Sequence, residues 1–212
     1  MAAFFDSLDL ATLSLAELME AIAALPAGPT RNALDCAGLD LQAKQSGRPV
    51  WEILDLRRPR LRDTAFTLSW DTAEVMAKAA KAAADYPILK LKIGSGGLAN
   101  IQAVAKARPD AGLILDANEA LDVAGLSEWL TGLKGLNIIL IEQPLPAGHT
   151  EALPPSDIPI CADEGLHTAA DLPLLKALGY RAVNVKLDKC GGLRAGVALM
   201  RAAKADGFTV MA

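Results

Sequence analysis

The sequence predicts an α/β fold of the TIM-type (βα) barrel kind, with about seven strands present and a short helical region ahead of them. From residue 64 onward, short apolar runs alternate with helical stretches, at a spacing of roughly 20–25 residues that is close to a minimal βα unit. The runs are apolar throughout, which is typical of parallel strands covered by helices. Seven units in a row favour a barrel over a doubly wound sheet, and the predicted barrel is incomplete because eight strands are needed for closure.

The helical region is predicted from two patterns before residue 57. Residues 14–25 should form a helix, because Ser14 and Glu17 make a capping-box pattern and apolar residues share one face. A second helix should run from about residue 30 to 46 and end at Gly47. Residues 49–54 should form a further helical turn. The polar segment 57–62 contains Pro59 and suggests a boundary between a domain at 1–57 and a barrel at 58–212.

The barrel strands follow from the apolar runs, and the helices from the stretches between them. The helix at 71–85 is expected to start with Asp71 and Glu74 as its capping pair. The predicted strands cover residues 64–69, 88–93, 112–117, 137–142, 158–162, 182–187 and 207–211.

Composition limits the possible functions. The chain has 212 residues, is 52% hydrophobic and 22% charged, and carries a net charge of −4, so it should form a large core rather than remain disordered. The run from Arg57 to Arg60 indicates a solvated linker, and nucleic-acid and membrane partners are not expected. An odd number of cysteines, three in all, predicts reduced thiols and a cytoplasmic protein.

Five strands in series end in a charged residue, and the residue types run lysine, carboxylate, carboxylate, carboxylate, lysine. Such charges are costly at the ends of buried strands unless they are paired or bind a metal. The acids are 26 and 21 residues apart, about one βα unit each, so they should converge where the strands end. In chain order the residues are Lys90 and Lys92, Asp116, Glu142, Asp163 and Lys186.

Two interpretations of the acids remain open. Three carboxylates with water and substrate oxygens would give the octahedral oxygen shell that Mg²⁺ prefers. Zinc is not favoured, because no histidine or cysteine lies at a matching position. Alternatively, each acid caps the next helix or pairs with a lysine. Cys161 is interpreted as a packing residue that points away from Asp163.

The lysines also have two interpretations. Lys90 and Lys92 are two residues apart and should point to the same side of one strand. Near a divalent cation a lysine's pKa falls, and two lysines on opposite faces of a substrate could carry out a 1,1-proton transfer. The alternative for Lys90 and Lys92 is a solubility pair on an edge strand. Lys189 is expected to pair with Glu164 or Asp188.

Taken as an ordered set, these motifs resemble the enolase superfamily, in its muconate-lactonizing subgroup, and are most similar to its dipeptide epimerases. The helical residues 31–44 look like the end of that family's capping domain. The motifs are Lys90-Leu-Lys92, Asp116-Ala-Asn118, Glu142-Gln143-Pro144, Asp163-Glu164 and Asn184-Val-Lys186-Leu-Asp-Lys189 followed by two glycines.

The resemblance implies a specific reaction. It implies Mg²⁺ held by Asp116, Glu142 and Asp163, and epimerisation at the α-carbon of the C-terminal residue of a dipeptide such as L-Ala-L-Glu, through an enediolate. Lys92 and Lys186 would be the two acid/base residues. The remaining implied residues are assigned to substrate binding, and they are Lys90, Thr67 and Asn118.

Other readings stay open within this resemblance. The same site could serve o-succinylbenzoate synthase, N-acylamino acid racemase or cycloisomerase chemistry, or the chain could be a truncated barrel without turnover. The strand-end pattern does not distinguish these. An open barrel would expose sheet edges and apolar surface, so we expect association with a complementing chain or a second copy.

Overall fold

The structure, a computed structural model, describes residues 12–212, and the first part of the predicted 1–57 domain lies outside the described residues. The helices in chain order are α1 (Leu15–Ala23), α2 (Pro29–Ser46), α3 (Val50–Ile53), α4 (Ala73–Ala82), α5 (Leu98–Ala107), α6 (Val123–Gly132), α7 (Leu172–Leu178), α8 (Leu187–Cys190) and α9 (Leu193–Ala205), with a 3₁₀ turn at Ala169–Asp171. The strands are β1 (Ala65–Leu68), β2 (Ile88–Lys92), β3 (Gly112–Asp116), β4 (Ile138–Glu142), β5 (Ile160–Ala162), β6 (Ala182–Asn184) and β7 (Thr209–Met211).

The helices ahead of the sheet form where the sequence predicts them. Ser14 caps α1, and its side chain and that of Glu17 make the reciprocal bonds of a capping box. Gly47 ends α2 in the left-handed conformation, with φ 66°. Met19 and Ile22 of α1 pack against Leu34 of α2, so these helices have a small core of their own.

The seven strands form one parallel sheet in the order β1-β2-β3-β4-β5-β6-β7. Strands that are neighbours in the sheet are consecutive in the chain. A helix lies in each crossover except the one between β4 and β5, where residues 143–159 form a loop. The result is a curled half-barrel, which confirms the predicted incomplete (βα) barrel.

Strand positions agree with the prediction, but all seven strands are shorter than predicted. The sixth strand ends at Asn184, and Lys186 lies beyond it as the N-cap residue of α8. Asp163 likewise follows the last residue of β5. The predicted apolar runs therefore include residues that lie in the loop after a strand rather than in the strand itself.

The start of α4 differs from the prediction. Thr72, and not Asp71, is the N-cap residue, and its hydroxyl accepts a hydrogen bond from Val75 N–H at 3.4 Å. Asp71 instead accepts from Thr72 N–H at 2.7 Å. The predicted pair was wrong by one position because two adjacent residues could both supply a capping oxygen.

Apolar residues pack on both faces of the sheet. The large core lies between the strands and helices α4 to α9, and includes the fully buried Leu91, Leu115 and Ile141. A smaller cluster on the inner face consists of Ile114, Leu140, Cys161 and Ala182. The inner face of the sheet is therefore apolar below the carboxyl ends of the strands.

Cys161 lies on the same face as Asp163, which corrects the expectation that it points away. Residues two apart in a strand share a face, and Cys161 packs in the inner cluster. The pKa of its thiol is raised by burial, then by the charges of Glu142 and Asp163. Its predicted role in packing is confirmed by its contacts.

Among residues 12–212, none of the helices combines the length and the apolar character needed to span a bilayer.

Candidate active site

The three predicted acids lie at or just beyond the ends of three consecutive strands. Asp116 is the last residue of β3, Glu142 is the last residue of β4, and the two are register partners. Asp163 follows β5 directly. All three are buried, with at most 1% of their surface exposed. The parallel sheet thus places three carboxyl groups side by side at its carboxyl edge.

Lys90 joins two of these carboxylates. Its Nζ lies 2.9 Å from Asp116 Oδ2 and 2.6 Å from Glu142 Oε2. Burial disfavours its charge, but hydrogen bonds to Glu142 and Asp116 outweigh that effect and raise its pKa. A positive charge therefore already lies between the first two acids.

Lys92 lies on the same side of the site as Lys90. Its Nζ is 2.5 Å from Asp116 Oδ2 and 2.9 Å from Asn118 Oδ1. Asn118 also approaches Glu164, with 3.4 Å between Nδ2 and Oε1. Both lysines of β2 point into one site, so the interpretation of them as an edge-strand solubility pair is not favoured by their contacts.

Asp163 is held by two lysines from the far side. Lys186 Nζ donates to Asp163 Oδ2, and Lys189 Nζ lies 2.6 Å from Asp163 Oδ1 and also donates to the Asp163 carbonyl oxygen. The expected pairing of Lys189 with Glu164 or Asp188 was therefore wrong. A one-turn helix α8 brings Lys186 and Lys189 onto the same face.

The carboxylates interact with one another electrostatically. Burial raises the pKa of Glu142, and the charge of Asp116 raises it further, against the effect of Lys90. Burial also opposes the charge of Asp163, but hydrogen bonds from Lys186 and Lys189 lower its pKa. Burial disfavours the charged form of Lys186, but its hydrogen bond with Asp163 outweighs this effect and raises its pKa. The site is thus three buried carboxylates with a lysine on each flank and with Lys90 between Asp116 and Glu142.

The donor chemistry of the site fits a hard divalent cation. Carboxylate oxygens are the ligands that Mg²⁺ prefers, and all three carboxylates are buried, with Glu142 Oε2 paired to Lys90 Nζ at 2.6 Å. In residues 12–212, however, no three His, Cys, Asp or Glu side chains are arranged so that they could hold a metal ion as they stand. The lysine ammonium groups contact the same carboxylate oxygens that a cation would need.

Thr67, predicted from the resemblance to bind substrate, lies in the first strand. It is the register partner of Lys90 and is exposed. Its position is next to the lysine pair of β2, on the strand beside it. Contact with a substrate remains a prediction for this residue.

Two buried polar residues support the site without having been singled out for a role. Asn184 Nδ2 donates to Glu142 Oε1 at 2.8 Å. Gln143 Oε1 accepts from Asp163 N–H at 2.8 Å and from Gly165 N–H at 3.1 Å. The available signal was their position beside a strand-end charge inside apolar runs, where a polar side chain needs a partner.

The chain belongs to the family described as "Enolase C-terminal domain-like", whose model matches residues 73–212. That match covers β2 to β7 and every predicted acid and lysine of the site. The resemblance to the enolase superfamily is thereby confirmed.

Two curated relatives are similar over most of this chain. An N-acetyl-D-glutamate racemase from Pseudoalteromonas sp. is 48% identical over 198 residues, which are 92% of this chain and 62% of the relative. An L-Ala-D/L-Glu epimerase from Escherichia coli K12 is 40% identical over 192 residues, 88% of this chain and 60% of the relative. The chain thus spans less than two thirds of the length of either relative.

Solved structures show the same fold. An L-Ala-D/L-Glu epimerase superposes with a TM-score of 0.88 at 37% identity, covering 99% of this chain and 67% of that chain. A dipeptide epimerase from Enterococcus faecalis V583, complexed with Mg and the dipeptide L-Leu-L-Tyr, superposes with a TM-score of 0.83 at 27% identity, covering 93% and 59%.

Proposed function

We propose that this chain carries the acid/base and metal-binding residues of an isomerase that epimerises the α-carbon of the C-terminal residue of a dipeptide such as L-Ala-L-Glu. The observation that carries the proposal is the placement of one half-exposed lysine on each flank of a row of buried carboxylates. The lysines are Lys92 and Lys186, beside Asp116 and Asp163 respectively.

Exposure separates the four lysines into two kinds. The side chains of Lys92 and Lys186 are 40% and 43% exposed, so their amines can reach a bound molecule. Those of Lys90 and Lys189 are 17% and 18% exposed, and they face carboxylate oxygens. We assign proton transfer to the first pair and charge balance to the second.

Proton transfer then uses the two flanks of the site. A substrate whose α-carbon lies above the carboxylate row would present one face to Lys92 and the other to Lys186. One amine in its neutral form takes the α-proton, and the ammonium on the opposite face returns a proton, which inverts the centre. Reversing the two roles runs the reaction in the opposite direction.

Both amines must lose a proton to act as bases. The carboxylate beside Lys186 raises its pKa, which opposes that role. A divalent cation on the same carboxylates would oppose the ammonium form, as predicted from the sequence. The proposed metal ligands are Asp116, Glu142 and Asp163, with Asn118 and Thr67 beside the substrate.

Bound Mg²⁺ would supply electrostatic stabilisation of the negative charge that develops on the substrate carboxylate as the α-proton leaves. The Mg-bound dipeptide epimerase of the same fold supports this assignment. Lys90, which contacts two of the proposed ligands, would limit repulsion between them.

A second reaction is favoured by the 48% identity to the N-acetyl-D-glutamate racemase. N-acetylglutamate and L-Ala-Glu both carry an acylated nitrogen and a free carboxylate on the glutamate α-carbon, so the same proton transfer applies to both. They differ in the ammonium group of the alanyl residue. This reaction corresponds to the N-acylamino acid racemase alternative that the sequence left open.

The test is solvent deuterium incorporation at the α-carbon, followed by NMR in D₂O with MgCl₂. Both L-Ala-L-Glu and N-acetyl-L-glutamate are offered at equal concentration, and their initial exchange rates are compared. We expect faster exchange with the dipeptide. Faster exchange with N-acetylglutamate would select the second reaction on the same site.

Single-lysine variants test the mechanism. Removing one base should slow epimerisation by about 10²-fold or more, since a positioned acid/base group contributes roughly that much. Lys92→Ala and Lys186→Ala should each preserve exchange from only one of the two epimers. The control variant is Lys204→Ala, on the surface of α9, which should catalyse deuterium exchange of both epimers at the wild-type rate. Exchange that persists unchanged in both lysine variants would contradict the two-lysine assignment. A folded wild-type chain that exchanges neither substrate would contradict the proposed function.

Metal binding has a test that does not require turnover. MgCl₂ should raise the thermal unfolding midpoint, because a ligand that binds only the folded state stabilises it by about 2.7 kcal/mol at 100 times its dissociation constant. Glu142→Gln removes one anionic ligand with little change in shape and should reduce this shift. An equal shift in wild type and variant would assign the effect to general salt rather than to the carboxylate site.

A further inference from the structure

Among the described residues, the helical region ahead of the sheet contacts the barrel at the turn that follows α8. Helix α2 lies against the turn that joins α8 to α9, and two of its side chains bind the backbone of that turn. They are Arg31 and Asp35.

Arg31 binds the end of α8. Its Nη2 donates to Cys190 O at 2.6 Å and its Nε donates to Gly191 O at 3.0 Å. Its Nη1 donates to Leu25 O at 3.0 Å, in the loop between α1 and α2. The last carbonyls of a helix lack partners within the helix, so a guanidinium at this end both satisfies and neutralises them.

Asp35 binds the start of α9. It is 3% exposed, and its carboxylate accepts from Arg194 N–H at 3.1 Å and from Arg194 Nε at 2.6 Å. Arg194 Nη2 also donates to Met19 O in α1, at 3.0 Å. The carboxylate of this ion pair is thus buried between the helical region and the barrel, where loss of its partner is costly, while the Arg194 side chain is 34% exposed.

The turn is shaped to admit these two side chains. Gly191 and Gly192 have φ values of 86° and 121°, which side-chain-bearing residues rarely adopt. A Cβ at Gly191 would lie 2.2 Å from Arg31 Nε, and one at Gly192 would lie 2.5 Å from Asp35 Oδ2. Residues with side chains at positions 191 and 192 would therefore collide with Arg31 and Asp35 of α2.

Helix α8 is only four residues long, and it carries the amines on the Asp163 side of the site. Lys186 is its N-cap residue and Lys189 lies within it. A single turn has little stability of its own. Its orientation therefore depends on the groups around it: strand β6 before it, the core packing of Leu187 and Cys190, and the contacts of Arg31 at its end.

We propose that Arg31 and Asp35 are positioning residues, which hold α8 so that Lys186 and Lys189 reach Asp163. The consequence for proton transfer rests on the proposed function, but the positional claim does not. Loss of the Arg31 contacts should release the two lysines of α8 and leave the two lysines of β2 in place.

The test uses the lysines of the site as their own controls. Lys186 and Lys92 are exposed to 43% and 40%, and Lys189 and Lys90 to 18% and 17%, so each lysine of α8 has a matched partner on β2. The folded chain receives a brief pulse of an amine-acylating reagent, and site-resolved mass spectrometry gives the labelling rate of each lysine. In Arg31→Ala, labelling of Lys186 and Lys189 should rise several-fold relative to Lys92 and Lys90.

Lys44→Ala is the control on the same helix, because Lys44 pairs only locally with Asp40 in α2 among its described ion pairs. It should leave all four rates unchanged. If Arg31→Ala does not fold, Arg31→Lys keeps the charge but loses the two-carbonyl contact, and it should show the same selective rise. A uniform change at all four lysines, or no change in a folded variant, would overturn the proposal.

The same variant gives a kinetic readout once turnover is measured. Deuterium exchange should fall for the epimer whose α-proton faces Lys186 and persist for the epimer that faces Lys92. Equal loss for both epimers would contradict the proposed positioning. A wild-type chain without exchange would count against the proposed function alone, because the labelling comparison is made without substrate.

Discussion

Gln143 shows how one buried side chain supports the candidate site. It is 1% exposed and has φ 36°, in the left-handed region. Its Nε2 donates to Leu145 O at 2.8 Å, while its Oε1 accepts two backbone N–H groups from the segment after β5. That segment begins with Asp163, so Gln143 sets the backbone position of a proposed metal ligand.

Replacing Gln143 by alanine should destabilise the fold. Two N–H groups, of Asp163 and Gly165, would lose their acceptor, and an unsatisfied buried group costs about 1–3 kcal/mol. The free energy of unfolding in urea measures this. The control is Gln102→Ala, whose exposed amide donates, among the described residues, to Gly132 O at 3.3 Å. Equal losses in the two variants would show that the buried contacts of Gln143 carry no special weight.

At the residue scale, the sequence indicated the charged positions better than their partners. The lysines and acids were found from their positions at strand ends, and the structure brings Lys90, Lys92 and Asp116 together. The partner of Lys189 was predicted wrongly, since its nearest acids in sequence are not its nearest acids in space. Asp163 reaches it across the gap between β5 and α8.

Helix starts are the element-scale feature that sequence patterns predicted with one-residue errors. Ser14 was placed correctly as the N-cap of α1, whereas the N-cap of α4 is Thr72, one residue later than predicted. Helix α6 has a short capping bond, in which Asp122 Oδ1 accepts from Gly125 N–H at 2.7 Å. This helix buries Leu126 and Trp129 against the sheet, so its start affects core packing.

Removing the α6 cap should weaken the protein measurably. Asp122→Ala should lower the free energy of unfolding by about 1 kcal/mol, as is usual for the loss of a capping oxygen. Asp122→Asn keeps an acceptor at the same position and should lose only a small part of this. Denaturant midpoints compare the two variants. If asparagine and alanine lose the same amount, the effect belongs to the negative charge at the helix start and not to the hydrogen bond.

At the scale of the whole molecule, the half-barrel is packed on both faces of its sheet. The outer core and the inner cluster together bury two of the three cysteines, while Cys36 on α2 is only half-buried. All three are free thiols, as the odd count predicted. Burial raises the pKa of the Cys161 and Cys190 thiols, which disfavours the reactive thiolate.

Thiol labelling therefore reports whether the half-barrel stays closed around its inner cluster. In native buffer at neutral pH, a maleimide should label one thiol per chain, at Cys36, and the other two only after urea is added. Peptide mass spectrometry identifies the site, and Cys36→Ser should abolish the native reaction. Rapid native labelling of Cys161 would show that the inner face opens to solvent.

The sequence by itself determined the order of the βα units, the fold class and the positions of the site charges. These depend on local periodicity and on the fact that consecutive parallel strands have their carboxyl ends at the same edge of the sheet. Only the tertiary structure decided which lysine meets which carboxylate, that Gln143 and Asn184 bond to the acids or to the backbone beside them, and that Arg31 and Asp35 contact the turn between α8 and α9. Those contacts join residues 20 to 160 positions apart, through loops whose paths no periodic pattern encodes.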